Sequence, residues 1–417
     1  MREDFCDAVA RIDQERLWRR HAEMAQIGAI PNNGVNRAAF SSEDIAARKL
    51  LLSWARARNF EVGMDGVGNL FVRRPGLDAE AAPVMTGSHM DSQPRGGRFD
   101  GIYGVLAGLE ALEAIDAAGV KTQRPIELVA WSNEEGGRFQ PCTMGSAVYT
   151  GARRLDDFLD TKDNQGVLLR DALRDTLAAT PDAQPRVFNA PAAAYLEAHI
   201  EQGPLLEDAR KVIGVVTGIQ GLRWFNVEVS GKTDHAGTTP LALRHDALRD
   251  AVAIINALHE LTRDPADTIR FTVGRMLVTP NSPNSVASHV LFSVDLRHPD
   301  PATIRRLGEA VEPLARKAAT RCAVKITPTL HDDPCVFDPR VVEAVERAAN
   351  DIKLPSMRLP SGASHDAMYM ARVCPTGMIF VPCEKGVSHN EAENARPEDL
   401  AAGARVLAAA LLELASV

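Results

Sequence analysis

Long apolar runs, paired cysteines and aromatic side chains are all scarce in this chain. No stretch approaches the roughly 18 consecutive apolar residues that a membrane span requires, so no membrane partner is expected. The six cysteines (6, 142, 322, 335, 374 and 383) form no C-x-x-C pair, and the N-terminal stretch MREDFCDAVARIDQERLW carries charge where a secretory leader needs an apolar core. A reducing, cytoplasmic setting is the expectation. Basic residues are in deficit, 47 Lys and Arg against 55 Asp and Glu for a net charge of -8, which disfavours a nucleic-acid footprint. Two catalytic signatures are also missing. There is no G-x-S-x-G elbow for a nucleophilic serine, and neither G-x-G-x-x-G nor G-x-x-x-x-G-K for a nucleotide.

What is present is an ordinary globular composition, 45% hydrophobic and 24% charged, over 417 residues, a length that favours two domains. The first 60 residues read as helices, among them AAFSSEDIAARKLLLSWARARNF with Ser41 or Ser42 as the cap. Strand-like pieces follow at 69–74 and 82–89, then a helix over 101–119 and an apolar strand over 124–137 that ends in polar residues. That alternation builds a mostly parallel sheet flanked by helices, in which ligands bind beyond the carboxyl ends of the strands. From about residue 213 the order becomes strand (221–232), helix (247–264), two strands, helix (303–322) and strand (323–330). This is the ferredoxin-like split unit. The expected organisation is a catalytic domain over 1–212 and 331–417, interrupted by an inserted α+β domain over 213–330.

Polar groups gather where the apolar strands stop. His89 ends one strand, Asp100 lies in the glycine-rich loop after it, Glu134 and Glu135 end another, His199 ends AYLEAHIEQG and His389 follows MIFVPCEKGVSHN. Imidazole and carboxylate converging from separate elements suit divalent metal, and two neighbouring ions need one carboxylate that reaches both. The resulting assignment gives His89, His199, His389 and Glu135 as terminal ligands and Asp100 as the bridge. Glu134 is left as the general base, and Asp91 as the group that accepts the other ring N–H of His89.

H-x-D with a further Asp eleven residues after the His, then E-E at the next strand end, resembles the di-zinc aminoacylase and carboxypeptidase superfamily. The stretches GSHMDSQPRGGRFDG, WSNEEGGRF, EAHIEQGPLLE, DHAGTTP, SGASHDA and GVSHNEAE resemble its amidase, hydantoinase/carbamoylase family, in the expected order over nearly the whole chain. The resemblance implies a di-zinc exopeptidase-like α/β domain with a ferredoxin-like lid and dimerisation domain. It implies two divalent ions, Zn²⁺ by default with Mn²⁺, Co²⁺ or Ni²⁺ as alternatives, on the five ligands above. The implied activity is hydrolysis of the carbamoyl C–N bond of an N-carbamoyl-L-amino acid. Allantoate amidohydrolase and β-ureidopropionase are the alternatives, with an aminoacylase, a dipeptidase or a non-catalytic binding protein more remote. The substrate would be a small ureido or amide molecule bearing a carboxylate, and the assembly a homodimer. Carried over residue by residue, Gln202 lies near the scissile group, and His235 reaches across a dimer interface to the developing oxyanion. Asn284 and Arg297 hold the substrate carboxylate, and Gly362 belongs to a loop whose backbone approaches the substrate. Three positions depart from the family pattern: Ser364 for a common Gly, Cys383 for Ser, and Leu222 for the Gln frequent in allantoate-type members.

Overall fold

The computed structural model describes residues 2–416. The chain divides into two compact units, one comprising residues up to 218 and from 336 onward, the other residues 219–335.

The larger unit is built on a ten-stranded sheet. At its centre Thr376–Val381, Ala194–Ile200, Val84–His89 and Ile126–Trp131 lie side by side, all parallel. Every residue of these four strands is buried, as near-continuous apolar runs in a sheet covered on both faces must be. Antiparallel strands extend the sheet at either side, Leu70–Arg74 next to Ile126–Trp131 and Ile213–Ile219 next to Thr376–Val381. The second of these is thus a strand of the larger sheet, and the break after Gly218 falls just before its last residue, Ile219.

The helix Ile102–Ala117 packs on the central strands and against Pro397–Ala415. It is buried on nearly all sides, which accounts for its mostly apolar sequence. Its two buried carboxylates are matched in charge: Glu110 accepts from Arg16 at 2.6 and 2.8 Å, and Glu113 from Arg20 at 2.6 Å. Gly104 lets this helix approach the sheet, since a Cβ there would stand 2.2 Å from the carbonyl oxygen of Ala198. Trp131 and Tyr195 are among the buried aromatics, Trp131 donating to the Tyr195 hydroxyl at 2.9 Å.

The smaller unit has a five-stranded antiparallel sheet in the order Met276–Thr279, His289–His298, Gly221–Ser230, Ala323–Asp332, with Arg270–Thr272 also on His289–His298. Helices Ala247–Leu261 and Pro301–Ala318 cover one face. Val227, Val229, Phe292, Val294 and Leu296 point inward to meet Ile254, Leu258, Leu307 and Val311. Each helix starts on an aspartate whose carboxylate accepts first-turn amides, Asp246 and Asp300. Among the described residues no helix is long and apolar enough to cross a membrane.

Candidate metal centre

The carboxyl ends of the four parallel strands deliver the polar residues to one place, because all four run the same way. His89 is the last residue of its strand, His199 the penultimate residue of its own, Glu134 and Glu135 follow Trp131, and His389 follows Val381 in the chain. Among the described residues three groups of potential ligands result, His89 with Asp100 and His199, Asp100 with Glu135 and His389, and Glu197 with His199 and His365; within each, donor atoms lie within 4.8 Å of one another. Asp100 belongs to the first two and divides its oxygens between them. Oδ1 faces His199 Nε2 at 3.2 Å and His89 Nε2 at 3.6 Å, while Oδ2 faces His389 Nε2 at 3.2 Å. Glu135 Oε2 is 3.5 Å from His389 Nε2, and Glu134 Oε2 is 3.5 Å from His89 Nε2.

Burial dominates the electrostatics. It pushes the Glu134 carboxyl well above its ordinary range and Glu135 up to about 7, each also raised by neighbouring carboxylates. Burial acts on Asp100 in the same direction, yet the three surrounding imidazoles overcome it and hold Asp100 well below the usual value. Burial likewise opposes charge on His89 and is outweighed by Glu134, Asp100 and Asp91. A cluster this rich in carboxylate and imidazole, its side chains largely buried apart from the half-exposed His389, matches the donor set of a divalent cation.

The backbone is bent to make this site. Asn133, Gln202 and His389 all have positive φ, at 53°, 57° and 53°, a conformation that costs energy for residues with a Cβ and gathers at functional sites. Gly101 (φ 66°) starts the helix after the loop, and its amide donates to His199 Nε2 at 3.1 Å.

Asp91 differs from the sequence expectation. The His89 Nδ1 partner is the main-chain carbonyl of Asp91 at 2.9 Å, with the carboxylate at 3.7 Å. That carboxylate instead accepts the amides of Glu134 and Glu135, each at 3.1 Å, so it fixes the backbone of the paired glutamates. Gln202 donates to Asp100 Oδ2 at 3.0 Å. Gly362 is exposed after the strand Ser356–Ser361. Close by in sequence, His365 packs edge-on against His199 with ring centroids 4.5 Å apart, and Asp366 accepts from the Ser146 hydroxyl. Cys383 is buried, and burial raises its thiol up to about 12, which makes it inert.

In the smaller unit His235 Nδ1 accepts two backbone amides, Gly237 at 3.0 Å and Thr238 at 3.2 Å, which leaves the ring proton of the neutral form on Nε2. Asn284 lies beside it, since His235 bridges to Ser285 and the Ala236 amide donates to the Asn284 carbonyl at 3.0 Å. Arg297 is at the far end of the strand His289–His298 from this pair.

Several supporting residues lie within the stretches quoted from the sequence, with no role read for them there. Gln93 grips Glu135 by its amide and its side chain, at 3.1 and 2.7 Å. Glu393 accepts the amides of Phe99 and Asp100 and so pins the loop that carries the shared carboxylate. Glu197 faces Ser88 and Ala367 from the strand position two before His199, and parity along that strand is the signal that would have found it.

A parallel-centred α/β sheet with a carboxylate and imidazole cluster at its strand ends defines a class, that of metal-dependent hydrolases. The chain belongs to the peptidase family M20/M25/M40, whose profile matches residues 85–413, and within it to the hydantoinase/carbamoylase amidases. It is 40% identical over 409 residues to the N-carbamoyl-L-amino-acid amidohydrolase of Rhizobium meliloti, covering 98% of each chain. Over 415 residues it is 33% identical to the ureidoglycolate hydrolase of Arabidopsis thaliana, covering 97% of this chain and 87% of that one. The crystal structure of an amidase of the hydantoinase/carbamoylase family from Burkholderia multivorans superposes with a TM-score of 0.92 at 44% identity, covering 98% of this chain and 99% of that one.

Proposed function

We propose that the chain is a di-metal amidohydrolase that cleaves the carbamoyl C–N bond of an N-carbamoyl-L-amino acid, the activity named in its R. meliloti relative. The observation that carries this reading is the single buried aspartate, Asp100, shared between two ligand groups with a further carboxylate, Glu134, beside them. His89 and His199 would hold one divalent ion, Glu135 and His389 the other, and Asp100 both, with zinc the default and manganese, cobalt or nickel compatible. Bound metal supplies Lewis acidity for the substrate carbonyl and for water. Glu134, whose Oε2 stands 3.5 Å from His89 Nε2, takes the proton of the attacking water and returns it to the leaving nitrogen. One water and one ureido group yield the free amino acid, ammonia and carbon dioxide. Gln202 sits against Asp100, where the scissile group would lie. His235, with its proton on Nε2, is in the form that donates to an oxyanion.

The smaller unit is read as a ferredoxin-like lid and dimerisation domain bearing His235, Asn284 and Arg297, and Gly362, in the larger unit, is read as a substrate-binding position. The homodimer has a geometric argument in its favour. From His289 to Arg297 is eight residues of extended strand, roughly 26 Å at ~3.3 Å per residue, and the ladder that holds Asn284 and His235 continues in the opposite direction. That span supports a reading in which one substrate meets Arg297 of one copy and His235 and Asn284 of a second. A cytoplasmic location is the reading carried by the sequence, whose six cysteines form no C-x-x-C pair.

The test is Glu134→Gln in enzyme loaded with Zn²⁺ or Mn²⁺, assayed on N-carbamoyl-L-amino acids, N-carbamoyl-β-alanine, allantoate and N-acyl amino acids. Metal content is expected to stay at the native level while turnover falls by at least about a thousandfold. Retained turnover overturns the mechanism. A native preference for N-acyl amino acids overturns the substrate class.

A further inference from the structure

His365 stands between the metal centre and the loop that carries Gly362. This loop runs from the strand Ser356–Ser361 to the short helix Ala367–Met370. Its far end is tied down where the Ala367 amide donates to Glu197 at 3.0 Å and the Ser146 hydroxyl donates to Asp366. Its near end is tied by one hydroxyl. Ser361 Oγ gives its proton to the Ala363 carbonyl at 2.9 Å and accepts the Ala363 amide at 3.1 Å, which closes a tight turn around Gly362. With its one proton on that carbonyl, Oγ accepts from His365 Nε2 at 3.0 Å.

The same ring also meets a metal ligand. His365 packs edge-on against His199, with centroids 4.5 Å and planes 61° apart, and against Phe380 at 5.7 Å. Phe380 is the residue directly opposite His199 on the neighbouring strand. His199 is held at one corner, where Nδ1 meets the Ile200 carbonyl at 2.9 Å. A single bond at the rim leaves an imidazole free to tilt about it. An edge-to-face neighbour that is itself buried and tethered removes that freedom.

We propose that His365 is a positioning residue that couples the two: its ring fixes the aim of His199, and its Nε2 bond holds the turn around Gly362 in the shape that receives substrate. The proposal rests on the readings of His199 as a metal ligand and of Gly362 as a substrate-binding position.

His365→Phe keeps the ring and removes the bond. Zn²⁺ affinity and kcat are expected to stay at the native level, while KM for the substrate that the native enzyme turns over best rises about three- to tenfold, the weight of one hydrogen bond. Ser361→Ala, which removes the bonds to Ala363 as well, should raise KM at least as much, and adding His365→Phe to it should change KM no further. A general loosening of the fold would not produce that saturation. His365→Ala removes ring and bond together and should in addition weaken Zn²⁺ binding by at least about tenfold. A further rise of KM in the double variant overturns the coupling, and native Zn²⁺ affinity in a folded His365→Ala protein overturns the role of the ring. Gly362→Val separates the proposal from its premise. If that variant leaves KM unchanged, the loop does not meet substrate and the proposal falls with that reading. If it raises KM while His365→Phe and Ser361→Ala do not, the loop reading stands and the coupling alone is overturned.

Discussion

At the scale of single residues, the paired glutamates show how one buried carboxylate sets the position of others. Glu134 and Glu135 are adjacent in the chain, yet Oε2 of one faces His89 and Oε2 of the other faces His389. Their backbone must be held while the side chains diverge, and Asp91 does this by accepting both amides. Asp91→Ala leaves the buried Glu134 N–H and the partly buried Glu135 N–H without their acceptor, which costs about 1–3 kcal/mol for the buried one. It also frees the loop that aims the two carboxylates. The expected result is a 10- to 100-fold loss of metal affinity with a matching fall in kcat, as is usual for groups that orient ligands. Metal titration at buffered free Zn²⁺ measures it. Native metal affinity in a folded Asp91→Ala protein would remove Asp91 from the account.

At the scale of elements, the site depends on how the chain turns from the strand Val84–His89 into the helix Ile102–Ala117. Gly101 makes that turn with φ 66°, and a Cβ there would lie 2.2 to 2.4 Å from three atoms of the His89 ring. Gly101→Ala is thus disfavoured twice, by backbone strain of about 1–3 kcal/mol and by collision with an imidazole of the metal centre. Lower stability in urea, together with at least about tenfold weaker metal binding, is expected; unchanged metal binding would show that His89 is not a ligand. The strands feeding this turn were readable from apolar runs that stop at polar residues, and those stops brought His89, Asp100, Glu135, His199 and His389 to attention. Boundaries were less readable. The strand expected over 82–89 begins at Val84 because Pro83 has no N–H to enter the ladder. The helix expected over 303–322 runs Pro301–Ala318, capped by Asp300 at its start. Beyond it the amides of Thr320, Arg321 and Cys322 turn to the carboxylate of Asp250, about 70 residues away in sequence. Gln93 and Glu393 were unreadable for the same reason: what they hold lies at positions that only the folded chain makes adjacent.

At the scale of the whole molecule, His235 and Asn284 lie at one end of a sheet whose other end carries Arg297, and a substrate a few ångströms long cannot touch both ends. If all three serve one reaction, each site draws His235 from a second copy of the chain. Complementation tests this without ambiguity. Glu134→Gln and His235→Ala homodimers should each be nearly inactive. After subunit exchange in an equal mixture, half the dimers are mixed, and each of these has one site in which an intact Glu134 meets an intact His235 from the partner. Activity should therefore rise to about a quarter of the native value, the fraction of sites made whole by random pairing. A mixture shown to exchange subunits yet remaining at the activity of its parents would place His235 with the Glu134 of its own chain, and the geometric argument for a shared site would fall.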